Sequence, residues 1–255
     1  MPIQKRQESS TKFYHVTARG INKEHIFNQI RERYFFLKIL KKYLEKYDVR
    51  IYAYCIMSNH IHLLIQSELE VLSLFMARVL AEYAEYYNYK HIRNGHVFQN
   101  RFGSECIESE KYFWNCIRYI HLNPVKAGVS KNISTYRFSS INEYSDRKTD
   151  IIHTNAIYMW DKKFPEIRMG MAFHEEDVLQ VFIDTYEDKQ RQMQELAVII
   201  LKNMSKEESV HRTVEILEDK SLRYKYVCKL MAALNISKNR AQKLYKYVKE
   251  SIMST

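Results

Sequence analysis

The stretch AYCIMSNHIHLLIQ, residues 53–66, decides how this chain folds. It lies between VRIYAYCIM (49–57) and HIHLLIQ (60–66), two β-branched and aromatic runs separated only by Ser58 and Asn59. Such runs, joined by a short turn, form a hairpin of two strands. Side chains alternate faces along a strand, so His60 and His62 project together, about 6–7 Å apart at the backbone. Ile61 then enters the core. Two imidazoles on one face can share a metal ion, or they can be ordinary histidines satisfied by hydrogen bonds. The stretch alone leaves both open.

Working outward, KFYHVTARG (12–20) alternates with period two and predicts a strand ending at Gly20. RERYFFLKILKKYLEKYD (31–48) puts Phe35, Ile39, Leu40 and Tyr43 on one stripe of an amphipathic helix. A long helix is expected over 69–91, stopped by NGH (94–96), and a short strand within 101–109. SEKYFWNCIRYIHLN (109–123) predicts a helix capped by Ser109 and ended by Pro124. The order β-α-β-β-α-β-α gives an α+β domain: a mostly antiparallel sheet with helices packed on it. Residues 124–146 form a closing tail, with Tyr136 and Phe138 expected to fold back on the domain.

From SDRKTD (145–150) onward the character changes. Helical patterns over 175–203, 206–218, 221–234 and 238–253 follow with no strand, so the boundary is placed between 148 and 149, with an all-α region over 149–255. Within it, about 221–249 has the layout of a helix-turn-helix. One helix carries Val227, Leu230, Met231 and Leu234, a tight turn follows, and a second helix turns Ala241, Leu244 and Val248 inward. Lys238, Asn239, Arg240, Gln242 and Lys243 face outward, a set able to meet duplex DNA. A plain helical hairpin with a solvated basic face is the other reading.

Bulk composition agrees with a polyanionic partner. The net charge is +10, with 20 tyrosines and 12 phenylalanines, and there are few glycines and prolines. The four cysteines have no metal-knuckle spacing and are expected to be reduced. No apolar leader and no run of about 20 apolar residues is seen, so a cytoplasmic protein without membrane contact is expected.

If the histidines hold a cation, an open, oxygen-accepting coordination sphere suits Mg²⁺ or Mn²⁺ on a phosphate, with zinc as a further candidate. In NCIRYIHLNPVKAG (115–128), Tyr119 and Asn123 stand i and i+4 on one helical face. The carboxamide is a reasonable third ligand and the phenol a candidate nucleophile, although one tyrosine among so many is more often a packing residue. His121 lies off that face. Trp114 and Phe113 are expected in the core, as is His15, although it sits near the site.

YCIMSNHIHLLI (54–65) followed by RYIHLNPVKAGV (118–129) closely resembles the IS200-like tyrosine transposase family, whose His-hydrophobic-His motif marks single-strand DNA transposases. The Y-x-x-x-N-P-V-K-A-G block, with VFQNRF (97–102) and YRFSS (136–140), is most similar to the branch associated with repetitive extragenic palindromes. The resemblance spans residues 12–145. It implies a ferredoxin-like or RRM-like sheet, His60, His62 and Asn123 as ligands of a divalent metal, and Tyr119 attacking a phosphodiester to form a 5′-phosphotyrosine link. The implied substrate is hairpin-bearing single-stranded DNA, with strand transfer after cleavage. Arg19, Arg101 and Lys126 flank the expected site and are candidates for backbone contacts. The implied assembly is a monomer or a homodimer. The rival is a domesticated sequence-specific DNA-binding protein that keeps only the vestige of a nuclease; an RNA binder on an RRM-like sheet would want stacking aromatics where the histidines stand.

Overall fold

The computed structural model describes residues 6–176, 186–210 and 212–253 and divides the chain into two compact units, Met1–Glu176 and Asp177–Thr255. The first unit is built on four antiparallel strands: β1 (Phe13–Arg19), β2 (Arg50–Ile56), β3 (His60–Gln66) and β4 (Gly103–Cys106). Their order across the sheet is β2-β3-β1-β4, the ferredoxin-like arrangement. The β2–β3 hairpin closes where Met57 N donates to His60 O at 2.8 Å. Directly opposed residues share a face, and β1 pairs Arg19 with His60 and Thr17 with His62.

Helices α1 (Ile30–Leu44) and α2 (Leu69–His91) pack on each other. Their apolar stripes, including Phe36, Ile39, Phe75 and Val79, are buried, as are Ile61, Leu63 and Ile65 on the strand face turned away from the histidines. The α1–α2 pair covers that face. Helix α3 (Glu110–Lys126) packs on β2 and β3 from the other side, where Phe13, Tyr52 and Phe113 meet edge to face at 4.9–5.6 Å. Ser109 caps α3 by accepting from Tyr112 N, as expected.

Helix α3 does not stop at Pro124 but continues through it to Lys126. Proline removes only its own N–H, and at 124 it sits in the final turn with two helical residues after it. The stop is supplied by Gly128 at φ 68°, and the late carbonyls are met by Ala127 N to Asn123 O and Val129 N to Pro124 O. Thus Asn123, not Tyr119, lies in the last turn.

The closing tail returns as expected. Tyr136 Oη donates to Ile56 O at 2.6 Å, Ile56 N donates to Phe138 O, and Ser139 bridges Cys55. The unit does not end at 148, however. Helices α4 (Ile141–Asp146), α5 (Thr154–Lys163) and α6 (Ile167–Phe173) continue its core. The Glu143 carboxylate accepts from Tyr54 Oη and from the amides of Ile151 and Ile152, which ties 150–152 to β2. Trp160 packs on Tyr144, His121 and Phe164, and Trp114 on Phe164 and Phe173. The division falls at 176/177 rather than 148/149, because the polar break at 145–150 is a surface turn between elements sharing one core.

The second unit is wholly helical over its described residues: α7 (Tyr186–Glu207), α8 (Thr213–Glu218), α9 (Lys220–Leu234) and α10 (Lys238–Met253). The expected helix over 175–203 falls partly outside the described residues, at 177–185. A separate core joins Leu201, Met204, Ile216, Tyr226, Leu230 and Val248.

Candidate active site

The site lies on the sheet face covered by α3. His60 and His62 project from β3 with ring centroids 4.8 Å apart and planes at 89°. Tyr119 descends from α3 onto His62, centroids 5.5 Å apart and edge-on. Asn123, one turn further, hydrogen-bonds the His62 side chain. The two blocks are therefore one cluster, assembled because strand alternation and the i, i+4 helical spacing point at each other across the β3–α3 contact.

Sequence reasoning assigned His15 to core packing, but it belongs to this cluster. It is buried, stacks on His62 at 5.4 Å and meets Tyr119 at 5.7 Å. Its Nε2 is 3.1 Å from His62 Nδ1, and Glu105, paired with it across β4, brings Oε2 to 3.8 Å from His15 Nδ1. One of the two facing nitrogens carries the proton that the pair shares, so His62 Nδ1 is engaged by His15. His62 Nε2, on the other edge of that ring, is buried in the cluster. Period-two alternation of β1 placed His15 on the Thr17 face, but which strand lies beside which is not encoded locally.

His60 is oriented in the same manner. Its Nδ1–H donates to Asn59 Oδ1 at 2.6 Å, which leaves Nε2 as a lone pair. His62 is held neutral: burial, then the neighbouring His60, His15 and Arg19, push its pKa well below the usual histidine range. Gly103 lies opposite Thr17 on this face, and a Cβ there would come 2.9 Å from Thr17 Oγ1, so its absence keeps the floor beside His62 low.

The donor set is consistent with a divalent cation. Among the described residues no group of three His, Cys, Asp or Glu side chains is arranged to hold a metal ion, so the set is two imidazoles completed by a carboxamide. Each imidazole has its far nitrogen engaged by an orienting partner, as metal-binding histidines do.

The expected flanking cations divide. Arg19 stands directly opposite His60 and on its face. Lys126 is exposed at the end of α3, three residues beyond Asn123 and on the same stripe. Arg101 is not gathered into the cluster; it is exposed in a groove with Arg6, His96 and Asn100 against α2. His121 is buried on the reverse of α3, bonded to His174 and Ser140. Trp114 and Phe113 are core residues, as expected.

Residues 9–123 match the family described as transposase IS200-like. A Haemophilus influenzae protein, curated provisionally as a REP-associated tyrosine transposase, is 27% identical, with 54% of this chain and 82% of that protein covered. A solved REP-associated tyrosine transposase bound to a REP hairpin is similar over 58% of this chain and 87% of its own, at 19% identity and a TM-score of 0.48. The motif pair at 54–65 and 118–129 falls within or beside the matched residues, and over 9–123 the chain is similar to IS200-like transposases.

Proposed function

We propose that the first unit is a metal-dependent single-strand DNA endonuclease and strand transferase acting on hairpin-bearing DNA. The observation that carries the reading is the convergence of Tyr119, His60, His62 and Asn123 between β3 and α3. His60, His62 and Asn123 are the residues that would hold Mg²⁺ or Mn²⁺, which when bound would neutralise and polarise the phosphodiester.

The chain's own groups do the rest. Tyr119 Oη attacks phosphorus, the new bond is Oη–P, and the bond broken is P–O3′. The phenolic proton is lost as the departing 3′-oxygen gains one, so one phosphodiester replaces another and the linkage is conserved for rejoining. The Tyr119 ring is fixed edge-on between His15 and His62, which limits it to one approach. Arg19 supplies a fixed positive charge opposite His60 for the DNA backbone, and Lys126 extends it along α3. The hairpin preference rests on the palindrome-associated form of the 119–128 block and on the curated relative's REP association.

The test uses a hairpin-bearing single-stranded oligonucleotide with Mg²⁺ or Mn²⁺. Cleavage and a denaturation-resistant protein–DNA adduct are expected with the parent, and both vanish in Tyr119→Phe. An adduct that survives in Tyr119→Phe excludes this nucleophile. Binding of the hairpin without cleavage by the parent in either metal favours the domesticated DNA-binding protein instead.

A further inference from the structure

We infer that the second unit is a helix-turn-helix module that holds duplex DNA through α10, a site separate from the strand-cleaving one. Three residues join α9 to α10. Asn235 takes the left-handed conformation at φ 48° and ends α9, Ile236 is buried, and Ser237 O accepts from Ala241 N to open α10. A turn this short, pinned by a buried apolar residue at its centre, fixes the direction in which the second helix leaves the first.

The fixed geometry is backed by a core of its own. Ala241 and Val248 turn inward from α10, Tyr226 Oη donates to Ala197 O at 2.7 Å, and Tyr245 Oη donates to Leu217 O at 3.1 Å. Side chains outside this set are therefore presented on a rigid helix. Lys238, Asn239, Arg240, Gln242, Lys243 and Lys246 are all exposed.

Charge selects the occupant. Residues 238–249 carry five basic side chains and no acidic one. Two of the four basic residues of α9 are handled differently: Lys225 pairs with Glu208 and Lys229 with Glu207. The positive face is centred on α10, with Lys220 and Arg223 of α9 beside Lys238 and Lys246, and its mixture is the one that reads DNA. Lysines meet phosphates, while Arg240, Asn239 and Gln242 have the bidentate groups that distinguish guanine and adenine in the major groove. A docking face for a second copy of this chain would need to supply a matching acidic surface, and a duplex supplies one at every base step.

The test uses the full chain and a 25-base-pair duplex without single-stranded ends, with binding read by fluorescence anisotropy across a salt series. Arg240→Glu/Lys243→Glu is compared with Lys202→Glu/Lys206→Glu, an equal charge change on the exposed side of α7. The α10 variant should lose duplex affinity about tenfold or more, and its log K against log salt slope should flatten by about 2, at roughly 0.9 per lost phosphate contact. The α7 variant should move far less, and hairpin cleavage should be unchanged in both. Asn239→Ala/Gln242→Ala should keep most affinity for bulk duplex but lose any sequence enriched by the parent from a random pool. Equal losses in the α10 and α7 variants, no duplex binding by the parent, or a change in oligomeric mass with duplex affinity intact would each overturn the inference. None of these outcomes depends on whether Tyr119 is the nucleophile.

Discussion

Lowering the pH from 7 to 5 should destabilise the first unit by about 2 kcal/mol through His174 alone. The cause is a buried chain of hydrogen bonds behind α3. Gly170 O can only accept, so His174 Nδ1 carries the proton it shares at 2.8 Å. His174 Nε2 must then accept from His121 Nδ1–H at 3.0 Å, and His121 Nε2 accepts from Ser140 Oγ–H at 2.8 Å. Every acceptor is used, so an added proton would set one N–H against another donor. Burial, above all, lowers the His174 pKa from 6.5 to about 4, and His121 is pushed well below its usual range by burial and by His174.

The folded-state pKa lies below the unfolded one, so the unfolded chain takes up protons first. Stability is therefore intact above about pH 6.5 and falls as pH drops, with the His174 penalty levelling below about pH 4. At roughly 1.4 kcal/mol per unit the full penalty is about 3 kcal/mol, of which about 2 is present at pH 5. His121 acts in the same direction.

The assay is urea unfolding followed by tryptophan fluorescence. The chain's two tryptophans, Trp114 and Trp160, both lie in the aromatic packing around these histidines, so the signal reports this unit. Replacing His174 with Gln removes one titrating group, so the pH 7 to pH 5 loss should be smaller than in the parent by about 2 kcal/mol. If parent and His174→Gln lose the same stability over that interval, the orientation of the hydrogen-bond chain deduced here is wrong.

Two further outcomes are expected. His15→Phe keeps a ring beside Tyr119 but removes the nitrogen facing His62 Nδ1, so Mn²⁺ affinity, read by loss of the free-ion EPR signal, should fall about tenfold to a hundredfold; unchanged affinity would show that His15 does not orient the ligand. Gly170→Ala would place a Cβ 2.3 Å from Trp160 Cζ2, and the overpacking should cost about 1–3 kcal/mol in the same tryptophan-monitored urea curve, with a neutral result ruling out a rigid α5–α6 contact.

What could be seen from the residues alone was whatever has a short period. Alternation over 49–66 located the hairpin and the shared face of His60 and His62, and the i, i+4 spacing located Tyr119 and Asn123. Long-range features were hidden. His15 joins His62 only because β1 lies beside β3, a partnership 47 residues apart in the chain. Pro124 misled because its helix-breaking effect depends on how much helix follows, and here only two residues do. The 148/149 boundary failed for a related reason: polar residues at 145–150 mark a turn, but whether a turn separates cores is decided by Trp160 and Phe173, which lie beyond it.

The α5–α6 segment has a practical consequence for anyone wishing to excise the first unit. Cutting after residue 148 is the natural choice from motif boundaries, since the similarity to the transposase family is spent by then. It would strip Phe164 and Phe173 from Trp114, the ring of Phe173 from the Arg118 guanidinium 3.8 Å away, and His174 from His121. All three exposed residues belong to the helix that carries Tyr119 and Asn123. A shortened protein of that kind should lose the activity proposed above, because Tyr119 would ride on a helix with an unsupported back. The excision point that respects the packing follows Glu176.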